Sequence, residues 1–256
     1  MTITVIVTAA LLGLACAAVG ADAPAPAPET GFLNAVAELK GHRIPYVVYV
    51  PRDYTRSKQW PVVLFLHGAG ERGDNGLAQS QVGLGAAVRM HPERFPCVIV
   101  MPQCPEGKGW GAGIPGLTEN EPLVADLALK ALDDVVDRYH GDRDRLSLTG
   151  LSLGGFGTWS IGAAHPGRFA ALAPVCGGGT ATTAGKLKDI PIWAFHGEAD
   201  TVVPAERSRQ MIEAVRAAGN RNVKYTEYPA VGHNSWDKAY GDPEFATWLL
   251  AQKRSG

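Results

Sequence analysis

The chain has 256 residues, 46% of them hydrophobic and 19% charged. That is enough apolar material for one large core, and it excludes wholesale disorder. The 24 basic and 25 acidic residues are spread along the chain, leaving a net charge of −1 and no basic run for nucleic acid.

The uncharged segment MTITVIVTAALLGLACAAVGA (1–21) reads as a secretory signal peptide, although its first residues lack Lys and Arg. DAPAPAPET (22–30) follows as an extended Pro/Ala-rich linker. The predicted location is therefore secreted or periplasmic. The alternative is a membrane anchor through an uncleaved or lipidated N-terminus, since about 20 apolar residues span a bilayer. The residues before Cys16 fit a lipidation signal poorly.

One catalytic domain is expected over 31–253. FLNAVAEL (32–39) and YVVYVP (46–51) read as antiparallel strands. PVVLFLHG (61–68) and CVIVMPQ (97–103) are short apolar runs without polar alternation, which suits strands buried on both faces. Leu123, Leu127, Ala131, Val135 and Tyr139 form one apolar face of a helix, with Gly141 placed to stop it. RLSLTG (145–150) is again strand-like, and a helix runs from Ser152 to about His165. FAALAPV (169–175) and IPIWAFHG (190–197) continue the alternation. A helix from Pro204 to Gly219 carries Met211, Ile212 and Val215. VKYTEYP (223–229) alternates and belongs nearer a sheet edge. Asp242-Pro243 opens a last helix that buries Phe245, Trp248 and Leu249. Strand and helix in turn predict an α/β fold, a mostly parallel sheet with helices on both faces. Ligands of such sheets bind at the carboxyl ends of the strands.

Chemistry gathers at those ends. GLSLG (150–154) matches the G-x-S-x-G nucleophile elbow, following a buried strand and opening a helix. A serine at the tip of so tight a turn needs glycines beside it. Gly150 and Gly154 fit the crowded positions, while Gly155 and Gly157 let the helix approach the sheet. Ser152 needs a base and the base an orienting acid, in the chain order nucleophile, acid, histidine. Asp200 ends HGEAD and His233 stands in VGHNSW, with Gly232 allowing its loop to turn inward. Glu198 and Asp237 are rival acids. His67 and His196 end strands and read as loop-orienting residues; His42, His91, His140 and His165 are peripheral. An oxyanion hole is expected from the backbone N–H groups of Leu153 and Ala69.

LHGAGERG, MPQCP, LTGLSLGGFGTW, ALAPVCGGG, FHGEADTVVP and GHNSWDKAY occur in order over about residues 40–252. Together they resemble the α/β-hydrolase superfamily. More narrowly, they are similar to a secreted serine esterase or "predicted peptidase" group related to dienelactone hydrolases and phospholipase/carboxylesterase enzymes. The resemblance implies a triad of Ser152, Asp200 and His233 and ester hydrolysis through an acyl-enzyme. Dienelactone hydrolases have cysteine where this chain has Ser152, so lactone activity is not carried over. The stretch between VCGG (175–178) and the strand at 190 is too short for a helical cap, and an open site shaped by loops 69–92 and 104–120 follows. Trp110 and Trp236 are expected to line an acyl or aryl pocket.

No cofactor or metal is implied. GAGIPG (111–116) matches G-x-G-x-x-G, but no strand immediately precedes it and Pro115 lies inside it. After Cys16, Cys97, Cys104 and Cys176 form no CxxC pair and allow at most one disulfide. The expected function is a serine carboxylesterase acting on small or polysaccharide-linked acyl esters. The alternatives are a prolyl-oligopeptidase-like peptidase, a polyester depolymerase, and a non-catalytic binding module on the same fold.

Overall fold

The computed structural model describes residues 29–111 and 122–254. The signal-peptide segment 1–21, most of the linker 22–30 and all but the first residue of GAGIPG lie outside the described residues. The strands are β1 (Gly31–Leu39), β2 (His42–Val50), β3 (Trp60–Leu66), β4 (Val98–Pro102), β5 (Gly141–Leu151), β6 (Ala171–Val175), β7 (Ile192–Gly197) and β8 (Val223–Tyr228). They form one eight-stranded sheet in the order β1-β2-β4-β3-β5-β6-β7-β8. β1 pairs antiparallel with β2, in a hairpin running from Gly31↔Val50 to Leu39↔His42, and β2 pairs antiparallel with β4. The remaining pairs are parallel. The more polar β8 is an edge strand, as its alternation predicts.

The helices are α1 (Leu84–Met90), α2 (Pro122–Arg138), α3 (Leu153–Ala164), α4 (Glu206–Ala217), α5 (Trp236–Gly241) and α6 (Pro243–Ala251). Residues of β3 show why the central strands are apolar throughout. Val62, Leu64 and Leu66 join the core shared with α2, α3 and α4, while Val63 and Phe65 join the core shared with α1, α5 and α6. Each fully buried side chain of this size stabilises by about 1.5–3 kcal/mol. Asp242 caps α6, accepting the Glu244 N–H at 2.9 Å, with Pro243 in the first turn.

Three sequence expectations change. Helix α2 ends at Arg138, and Gly141 begins β5 instead of stopping the helix. Its small size serves packing, since a Cβ there would lie 2.7 Å from Val62 Cγ2 and 3.0 Å from Val136 Cα. The stretch 69–92, read as loop, contains α1. The short α5 directly after the His233 loop has no counterpart in the sequence reading; at six residues it is too short for a periodic signal.

Candidate active site

The elbow forms where β5 ends at Leu151 and α3 begins at Leu153. Between them Ser152 has φ 51° and ψ −115°, a conformation a non-glycine residue adopts only under constraint. The constraint is close backbone packing. A Cβ at Gly154 would stand 1.9 Å from the Leu66 carbonyl oxygen, and one at Gly150 would stand 2.4 Å from that of Gly154. Gly155 abuts the end of β6, with Val175 O at 2.4 Å from its would-be Cβ, and Gly157 abuts Trp110 Cβ at 2.5 Å. The Ser152 N–H donates to Val175 O at 2.9 Å, fastening the tip to β6.

The three side chains read as nucleophile, base and acid meet. Ser152 Oγ lies 2.9 Å from His233 Nε2, and His233 Nδ1 lies 2.7 Å from Asp200 Oδ2. The Asp200 carboxylate is fully buried. Its Oδ1 accepts the N–H groups of Val202 and Val203, both at 2.9 Å.

The His233 loop is laced to the end of β7. Ala199 N–H donates to Val231 O at 2.9 Å, and the rival acid Glu198 accepts the Ala230 N–H at 3.1 Å. The second rival, Asp237, accepts from Asn234 Nδ2 at 3.4 Å on the surface. The loop turns at Ala230, with φ 57°, and not at Gly232, which has open space where a Cβ would stand. The glycine this loop requires is Gly197, whose Cβ would meet Val231 O and Gly232 O at 2.3 Å.

Ala69 opens a 3₁₀ turn after β3, and Leu153 is the first residue of α3. The first N–H groups of a helical turn have no partner within it. A Cβ on Gly68 would lie 3.6 Å from Ser152 Cβ, so this turn runs beside the serine. His67 braces it: Nδ1–H donates to Gly68 O at 2.6 Å, and Nε2 accepts the Cys104 N–H at 2.8 Å. Burial pushes the His67 imidazole down to about 4, which keeps it neutral for both bonds. Gln103 braces the turn's far end. Its Nε2 donates to Glu71 O at 3.0 Å and its Oε1 accepts the Gly76 N–H at 2.8 Å. The Glu71 carboxyl lies against Gly68, and partial burial raises its pKa. The MPQCP block thus works by holding the loop of the preceding strand. Its position after β4 flags it in the sequence, but nothing there names its partners.

The two tryptophans part ways. Trp110 was expected to line a substrate pocket, yet its side chain has no exposed surface. It packs in the core, stands edge-on to His67 and donates Nε1–H to His67 O at 3.0 Å. Its length and indole N–H suit it to filling the space beneath the 68–71 turn, not to meeting a ligand. Trp236 is half-buried and stands edge-on to His233, with centroids 5.4 Å apart. Cys97 and Cys176 are buried free thiols, and Cys104 is buried as well. Burial pushes the Cys176 thiol up to about 12.

The family model described as "Putative esterase" matches residues 37–250. The chain belongs to the esterase family. Within it, a solved thermostable esterase is 36% identical, with a TM-score of 0.77 over 87% of this chain and 63% of that one. Its likeness and the sheet order identify the α/β-hydrolase fold. Poly(3-hydroxyoctanoate) depolymerase of Pseudomonas fluorescens is 30% identical over 53% of this chain and 52% of its own length. "Probable feruloyl esterase C" of Aspergillus niger is 22% identical over 86% of this chain and 77% of its own. The chain therefore spans about half the length of the depolymerase it matches. The resemblance of the six sequence blocks to α/β-hydrolase esterases holds.

Proposed function

We propose that this protein is a serine carboxylesterase that works through an acyl-enzyme. The observation that carries this reading is the unbroken chain from Ser152 Oγ to His233 at 2.9 Å and from His233 to Asp200 at 2.7 Å. In the mechanism, Ser152 Oγ attacks the ester carbonyl and passes its proton to His233 Nε2. The oxyanion of the tetrahedral intermediate takes hydrogen bonds from the Ala69 and Leu153 N–H groups, each worth about 3 kcal/mol. His233 returns the proton to the departing alcohol. Water then repeats the sequence on the acyl-enzyme and frees Ser152. Asp200 orients the imidazole and balances its charge.

The substrates in this reading are acyl esters on small molecules or polysaccharides, with Trp236 beside the acyl or aryl group. The feruloyl esterase relative favours it. Only a 3₁₀ turn (Ala181–Leu187) separates β6 from β7, so no helical cap limits the bulk of the substrate there. The depolymerase relative supports a second reading, cleavage of a polyester. The apolar start of the chain supports an extracytoplasmic location, and among the described residues no helix is long and apolar enough to cross a membrane. N-terminal sequencing of the protein from the extracytoplasmic fraction checks the location: an intact Met1 overturns cleavage.

The test is a panel of p-nitrophenyl esters, feruloylated and acetylated saccharides, poly(3-hydroxyoctanoate) and peptides. Ser152→Ala should lower kcat by about 10⁴-fold or more and abolish fluorophosphonate labelling, and Asp200→Asn should lower kcat by about 10⁴-fold. A Ser152→Ala protein working at the wild-type rate sinks the assignment. A wild type that neither labels nor turns over any ester is a binding module, and one that cleaves only peptides is a peptidase.

A further inference from the structure

A second histidine faces the carboxylate of Asp200. His196, near the end of β7, has no exposed side-chain surface, and its Nε2 lies 3.2 Å from Asp200 Oδ2, the oxygen that also meets His233. The same Nε2 lies 2.8 Å from Val203 O. Both neighbours are acceptors, so Nε2 is a protonated ring nitrogen. Val203 closes a small ring of contacts, since its own N–H donates to Asp200 Oδ1. His196 therefore grips the turn that carries Asp200 and the carboxylate itself.

The opposite face of the ring reaches α4. His196 Nδ1 lies 2.7 Å from Ser208 Oγ, which lies 2.9 Å from Gly177 O. Gly177 in turn stands against Gly155, one helical turn from Ser152. The Ser208 hydroxyl donates to Gly177 O, which turns its oxygen toward Nδ1, and burial lowers the pKa of His196. The charged groups around this ring are Asp200, His233 and Glu227, which lies across from His196 on β8 and is paired with Arg209.

We propose that His196 is a positioning residue for ester hydrolysis, holding Asp200 in line with His233, and that Ser208 anchors the far side of its ring. The proposal rests on the assignment of Ser152, His233 and Asp200 given above. Without the Nε2–H, Oδ2 loses one of its two imidazole neighbours, and more of its negative charge falls on His233. The protonated, inactive form of His233 is then favoured, and the acid limb of the kcat/KM profile moves to higher pH.

Two near-isosteric variants separate the ring's two ends. In His196→Gln the side-chain amide N–H reaches where Nε2–H stood. In His196→Asn the amide matches Nδ1 toward Ser208 but leaves Val203 O and Asp200 unmet. The measurement is kcat/KM against pH for p-nitrophenyl acetate, with thermal unfolding of each variant alongside. His196→Asn should lower plateau kcat about tenfold with KM unchanged. It should also move the acid limb up by about half a pH unit. His196→Gln should keep the wild-type limb within error and recover most of kcat. A His196→Asn enzyme with the wild-type limb, or Asn and Gln variants differing only in melting temperature, overturns the proposal and leaves the Ser152 assignment standing. If neither variant folds, Ser208→Ala serves in their place and should shift the limb in the same direction; an unmoved limb there overturns the proposal. If wild-type hydrolysis survives Ser152→Ala, the assignment beneath both readings falls.

Discussion

On the side of the proposed nucleophile, main chain meets main chain; on the side of the proposed acid and base, side chains lace loops together. Around Ser152, would-be Cβ atoms at Gly150, Gly154 and Gly155 come within 2.4 Å of backbone oxygens. Around Asp200 and His233, the shape is set by Val202 and Val203 N–H groups, His196 and a Glu198 carboxylate. The difference follows from what each side must do in the proposed mechanism. A nucleophile under backbone strain needs a rigid seat, because any slack would release the strain. An acid and a base need aligned hydrogen bonds, which two loops can supply once tied at several points.

The sharpest way to break this contrast is to add one methyl group on each side. Gly154→Ala puts a carbon 1.9 Å from Leu66 O, where no side chain can give way. We expect a loss of about 3 kcal/mol or more and of the active conformation, read by denaturant unfolding and ester turnover. Gly232→Ala meets nothing within 4 Å and has no left-handed φ, so its stability should stay within about 0.5 kcal/mol. If both alanines are tolerated, the nucleophile side is not held by steric packing.

His67 sharpens the comparison, because it is a side-chain brace on the nucleophile side. Its folded pKa of about 4 lies below the unfolded value of 6.5. Between those values the unfolded chain binds more protons, so stability drops as pH falls. The contribution is complete above about pH 6.5, is lost progressively down to about pH 4, and is flat below; the full change is about 3 kcal/mol. His196, also lowered by burial, adds a loss of the same sign. Urea unfolding at pH 7, 5.5 and 4 measures the sum, and the His67→Gln variant isolates the share of His67. A variant with the wild-type slope would remove His67 from the account.

The same contrast decides what could be read without coordinates. Steric constraint is local: strand, G-x-S-x-G and helix stand together in RLSLTGLSLGGFG, so the elbow and the roles of Gly150, Gly154 and Gly155 are legible in one stretch, whereas the contact of Gly157 with Trp110 is not. The order of Asp200 and His233 is legible as well, because the fold class dictates which strand ends carry them. Side-chain lacing is long-range and leaves no local mark. Nothing in the sequence joins Gln103 to Glu71 and Gly76, Ser208 to His196, or Glu198 to Ala230. Trp110 misleads for the same reason, since an aromatic in a loop near the site reads alike whether it faces ligand or core. The turn of the His233 loop falls at Ala230 because non-glycine residues can hold a left-handed φ when laced on both sides.

The smallest expected effect tests that lacing. Glu198 and Asp200 were rivals for one role, two residues apart, and the geometry divides them. Asp200 is buried with donors on both oxygens, whereas Glu198 is exposed and reaches only the Ala230 N–H at 3.1 Å. Exposed hydrogen bonds compete with water, so Glu198→Ala should cost about 0.5 kcal/mol. The loop keeps its second tie, Ala199 N–H to Val231 O at 2.9 Å, and with it the place of His233. Turnover of p-nitrophenyl acetate by Glu198→Ala should therefore stay within about twofold of wild type. A hundredfold fall would make Glu198 the working acid and reassign Asp200 to a structural role.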